Sequence, residues 1–92
     1  MPQVFKIGSY WVYFWTNEGR LLEPIHVHIS KGQPSEHATK VWITSAGKTL
    51  LANNNSHIPD RVLRNIQRIL EARSEEIIQK WTDYFGAPEY YV

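Results

Sequence analysis

Ninety-two residues, 42% hydrophobic and 13% aromatic, make one small domain with enough apolar side chains for a core, and 21% charged residues exclude a disordered polyampholyte. The lack of cysteine excludes a disulfide scaffold, a thiolate zinc site and a cysteine nucleophile. The net charge of +1 divides into five basic and three acidic residues over 1–58 and five basic and six acidic over 59–92, a balance that neither demands nor excludes a nucleic acid, because a local patch matters more than the total.

Val4–Ile7 and Tyr10–Trp15 are rich in β-branched and aromatic residues and predict two strands around a Gly8-Ser9 turn. The second is bulky on both faces, which predicts a central position. Thr16-Asn17-Glu18-Gly19 is a turn cluster, and an irregular stretch leads to Pro24. From Ile25 to Ser30 the pattern alternates: Ile25, Val27 and Ile29 point to one side, His26 and His28 to the other, their Cβ atoms roughly 7 Å apart after two strand rises. A loop over 31–35 precedes a strand at Thr39–Ile43, which sets Val41 and Ile43 against Lys40, Trp42 and Thr44. Ser45-Ala46-Gly47 turns into a short strand at Lys48–Leu51, and Asn53–Ser56 is loop.

A helical pattern runs from Pro59 to about Phe85, opened by proline with Asp60 beside it and closed by Gly86 and Pro88. At about 100° per residue, Val62, Leu63, Ile66, Ile69, Leu70, Ile77, Trp81 and Tyr84 share one face. Unbroken, such a helix would measure about 40 Å, so a bend or break near Ser74 is expected. The expected fold is therefore α+β: one domain over 1–92, with an antiparallel meander of four or five strands (1–58) packed on one long or bent C-terminal helix (59–86), and a tail over 87–92. The longest apolar block, Tyr10–Trp15, is too short to span a membrane or to form a signal core, so no membrane partner and a cytoplasmic location are expected. No cofactor is expected.

The opening Pro2-x-Val4-Phe5-x-Ile7-Gly8, the turn Asn17-Glu18-Gly19, the run Glu23-Pro24-x-His26-Val27-His28-Ile29, Lys40-x-Trp42 and Trp81-x-x-Tyr84-Phe85-Gly86 together resemble a family of small bacterial proteins known as domain of unknown function 4160. Ile25 stands where that pattern often has a second proline, and Arg73 where it has Asn or His. The resemblance implies no biochemical activity. It implies a gene neighbour that resembles antitoxins, and hence a cognate small partner protein and a toxin–antitoxin role.

The histidine pair reads in three ways. On an open sheet face, with Val27 and Ile29 beneath the helix, His26 and His28 would sit beside Lys40 and Trp42 and one or more of Trp11, Tyr13 and Trp15, like surfaces on which RNA bases stack and phosphates are neutralised. One imidazole would then deprotonate a ribose 2′-hydroxyl, the other would protonate the leaving oxygen, and Lys40 or an arginine would stabilise the developing charge. The same face could serve as a non-catalytic binding module for a small protein or a nucleic acid, or the histidines could simply cap a sheet surface. Metal binding needs a third ligand, for which Glu23, His37 and His57 are candidates that no spacing places, so no bound transition metal is expected. Arg61, Arg64 and Arg68 form a ridge opposite the apolar face, interrupted by Asp60, Glu71 and Glu75. Arg73 projects into the apolar face, which calls for a change of helix direction there, an ion pair, a snorkelling side chain or a role in a binding pocket. Nothing in the sequence sets the oligomeric state.

Overall fold

The computed structural model describes residues 3–15 and 23–92, so the Thr16–Gly19 turn and Pro2 lie outside the described residues. Five antiparallel strands cross one sheet in chain order: β1 (Gln3–Ile7), β2 (Tyr10–Tyr13), β3 (His26–Ser30), β4 (Thr39–Ile43) and β5 (Thr49–Asn53). Two helices, α1 (Asp60–Ala72) and α2 (Ser74–Phe85), complete the α+β fold that the sequence predicts. Register puts Val12 opposite Ile29, and Val27 opposite Val41, so these side chains share one face with Ile43. They close on Leu63, Ile66 and Leu70 of α1 and Ile77 and Trp81 of α2. All ten are buried. Each such aliphatic side chain contributes roughly 1.5–3 kcal/mol, so this face supplies most of the driving force.

β2 is internal, as its bulky faces predict, but the middle strand is β3. β2 is also shorter than the sequence suggests: after Tyr13 the chain leaves the ladder and Phe14 turns into the core, edge-on to Trp81 at 5.1 Å. All five residues of β3 are buried. That requires cover on both sheet faces. The helices supply one, while the β3–β4 loop, the C-terminal segment and, at the His26 end, the Trp81 ring of α2 cover the other. Tyr13 Oη donates to the Ser35 carbonyl and accepts from the Ser35 N–H, both at 2.9 Å, which ties the loop over the face. At the opposite end Ile25 N–H donates to the Glu89 carbonyl and Ser45 N–H to the Val92 carbonyl, and Tyr91 lies flat on Trp42 at 4.8 Å.

The helical region breaks at Arg73, one residue before the expected position, where φ −110° and ψ 22° separate α1 from α2. An unbroken helix of about 40 Å would overhang a molecule whose longest extent is 32 Å. The single apolar stripe read from the sequence is too wide: Val62 and Tyr84 are 36% and 62% exposed. Val62 stands about 100° from Leu63 and falls off the stripe, and the break resets the phase before Tyr84. Arg73 is not inside the apolar face. Its guanidinium pairs with Glu76 through two hydrogen bonds of 2.8–2.9 Å and lies 3.8 Å from the centre of the Phe5 ring, so the charge stays at the surface while its plane covers an aromatic edge of the core.

Candidate functional site

The second sheet face collects the residues singled out in the sequence. Trp42 pairs with His26, Lys40 with His28, and Tyr13 with His28, which puts all five side chains on the side opposite Val27 and Val41. The two imidazoles do lie together, 5.2 Å apart and nearly perpendicular. The face is not open, however, and in this the structure corrects the sequence reading. His26 is completely buried and His28 is 5% exposed. His26 is walled by Trp42 on β4 and by Trp81 of α2, each ring 5.6 Å away. Its Nδ1 faces the Pro24 carbonyl at 2.8 Å, the geometry of an N–H donor, and Nε2 has no hydrogen-bond partner. His26 therefore reaches no surface on which a substrate could lie. Alternation alone could not reveal this, because one wall, Trp81, comes from fifty-five residues further along the chain.

Both imidazoles are uncharged at neutral pH. Burial is the main cause for each: it pushes His26 below its ordinary value against the pull of the Pro24 and Trp15 carbonyls, and together with the charge of His26 it pushes His28 down to about 4. A paired acid and base at neutral pH needs one protonated imidazole. Neither qualifies.

His28 nevertheless borders a hollow. Its ring stacks on Tyr13 at 5.8 Å and its Nδ1 faces the Ala38 carbonyl at 3.4 Å, which leaves Nε2 as the nitrogen with an available lone pair. With Trp15, Glu23, Glu36, His37, Lys40, Asn53 and Asn55 it lines a polar hollow of about 270 Å³. Lys40 is fixed there by an ion pair to Glu23 at 2.7 Å and by the Trp42 ring 4.3 Å away. The ammonium hydrogen bond is the largest cause that holds Glu23 below the usual carboxylate range. Trp42 is less available than the sequence suggests, since Tyr91 covers it. Tyr13 is 1% exposed with its hydroxyl committed to Ser35, so it shapes the site and offers no polar contact of its own. Arg73 borders neither this hollow nor its neighbour.

Beyond the Tyr13–Ser35 tie lies a second, mostly apolar hollow of about 570 Å³, lined by Gln3, Trp11, Tyr13 and Gly32–Pro34. Lys6 Nζ stands 4.6 Å from the centre of the Trp11 ring and Lys31 Nζ 5.9 Å from that of Tyr10. Sequence reasoning placed Trp11 on this face but missed Lys6. The pairing of Lys6 with Trp11 follows only from the β1–β2 register. The roles of Asn53 and Asn55 were likewise hidden in a loop.

Among the described residues no group of three metal-ligating side chains is gathered, and His37 lies at the surface 3.6 Å from Glu36. No helix among the described residues is long and apolar enough to cross a membrane. No curated protein and no solved structure matches the chain. The family model for "Domain of unknown function (DUF4160)" matches residues 9–82, which carry the histidine strand, Lys40, Trp42 and Trp81, and the chain belongs to that family.

Proposed function

We propose that this protein is a binding module for single-stranded RNA and does not cleave it, with the second sheet face as its contact surface. The observation that supports this reading best is the Trp11 hollow: an aromatic and apolar recess with Lys6 beside its indole, next to a polar hollow that offers Lys40, two asparagines and a neutral imidazole acceptor. A base stacks on an indole whatever its identity, while ammonium groups beside it neutralise the backbone. The sealed position of His26 argues against the two-histidine cleavage mechanism. A toxin-like role with an antitoxin-like partner would then act by occupying RNA, not by cutting it.

Fluorescence anisotropy with a labelled single-stranded oligoribonucleotide tests the reading. Binding should weaken with salt, and Trp11→Ala should weaken it about tenfold or more, the size of one lost base stack. His28→Gln, folded to matched stability, should weaken binding by less than about threefold, as for one neutral hydrogen bond. The same RNA should remain intact on a gel. Cleavage by the wild type that disappears in His28→Ala would overturn the proposal, as would RNA affinity indifferent to Trp11→Ala.

A further inference from the structure

The two edges of the sheet are finished differently. β1 carries Lys6 and a register irregularity between Gln3 and Phe5, and Lys80 of α2 donates to its Val4 carbonyl at 2.8 Å. These are devices that blunt an edge. β5 reads Thr-Leu-Leu-Ala-Asn, without charge or proline, and leaves Leu50 42% and Leu51 40% exposed. Its backbone direction follows from two bonds. Lys48 carbonyl accepts from Thr44 N–H, so residue 48 faces β4, and Thr49 N–H turns away to Glu71 Oε2 at 3.0 Å. Alternation then points Leu51 N–H, Leu51 C=O and Thr49 C=O away from β4.

Beside that edge runs the outer face of α1. Arg61, Arg64 and Arg68 are exposed and make no ion pair among the described residues. Glu71 stands three residues beyond Arg68, the right spacing to neutralise it, but spends its carboxylate on Thr49, with Oε2 accepting from both the backbone N–H and Oγ1. Arg64 and Arg68 border a small hollow with Thr49, Gln67 and Glu71. Thr49 and Leu51 point to this same side of the sheet.

We propose that β5 is a docking edge for an extended acidic segment of a partner protein, which adds a sixth strand through Leu51 and Thr49 and places a carboxylate on Arg64 and Arg68. The register specifies the segment. The residue opposite Leu51 is apolar, its neighbour meets Leu50 on the far face and is also apolar, and the residue two positions along, beside Thr49, is acidic. A second copy of this chain fits worse: a two-fold pairing about Leu51 would present another β5, which has no carboxylate for the arginines. This surface is separate from the Trp11 hollow and does not depend on RNA binding.

The test titrates the full chain with a labelled synthetic peptide built on the run valine-valine-glutamate that this register specifies, and with its counterpart in which lysine replaces glutamate. The glutamate peptide should bind, and Arg64→Glu with Arg68→Glu should weaken it at least about tenfold while raising affinity for the lysine peptide. These substitutions lie on an exposed helix face and leave the core intact. Amide exchange supplies the second measurement: Leu51 N–H should become protected on binding, and Leu51→Pro, which removes that donor at an edge position, should abolish the complex. Equal binding of both peptides, binding unchanged by the charge reversal, no protection at Leu51, or a concentration-dependent dimer through β5 would each overturn the proposal.

Discussion

His26 and Trp81 meet at 5.6 Å with their ring planes inclined by 61°, and each holds a buried ring nitrogen without a hydrogen-bond partner. With Nδ1–H directed to Pro24, His26 Nε2 is an acceptor, and Trp81 Nε1–H is a donor. Trp81 also packs on Phe14 and Phe85, so its packing contribution can be separated from that of its N–H. Trp81→Ala should cost about 3–5 kcal/mol, the usual range for a buried aromatic. Trp81→Phe should cost less than about 1.5 kcal/mol, because it keeps the ring contacts and removes an unpaired donor. Urea denaturation reads both, and equal losses would show that the indole N–H is worth more than its packing.

Stability should fall on mild acidification. Both imidazoles bind protons less readily in the folded chain than at their ordinary 6.5, so their contribution is complete above that value and is lost as pH falls towards about 4, where folded His28 titrates. For His28 alone the full loss amounts to roughly 3 kcal/mol. Glu23 acts in the same direction but only below its ordinary 4.5, so the upper part of the window belongs to the histidines. Denaturant midpoints followed from neutral pH to about pH 4.5 should decline in the wild type and decline less in His28→Gln. A flat profile would contradict burial of the pair.

Gly8 and Gly47 both have positive φ, +59° and +76°, yet their surroundings differ. A Cβ at Gly8 meets nothing within 4 Å, whereas one at Gly47 would lie 2.9 Å from Ser74 Oγ, where the β4–β5 turn touches the helix break. Gly8→Ala should cost about 1 kcal/mol from backbone conformation alone, and Gly47→Ala clearly more. Adding Ser74→Ala should recover the excess but not the backbone part. Thermal melting of the three variants distinguishes the two contributions.

Removing the Tyr13 hydroxyl should loosen the β3–β4 loop. Tyr13→Phe deletes both bonds to Ser35 and leaves its N–H and carbonyl without that partner, an expected loss of about 1–3 kcal/mol. Exchange at the Ser35 amide should quicken. An unchanged Ser35 rate would mean that the loop is held by other contacts.

Periodicity in the sequence determined the antiparallel meander of four or five strands, the side of the sheet each histidine takes, and the C-terminal helical region with its bend or break. All are local: a period of two or 3.6, a proline, a glycine, and a length too great for so small a body. The register of Lys6 against Trp11, the tie of Tyr13 to Ser35 and the cover of Tyr91 on Trp42 were decided only by tertiary structure, since each joins residues whose spacing carries no pattern. The same holds for the site. His26 and His28 read as a matched pair because a strand treats positions two apart alike. Trp81, brought from α2, makes them different by sealing one imidazole from water and leaving the other at the wall of a hollow. Burial sets whether an imidazole can carry a proton, and burial is a property of what packs against the strand, which the strand's own sequence does not encode.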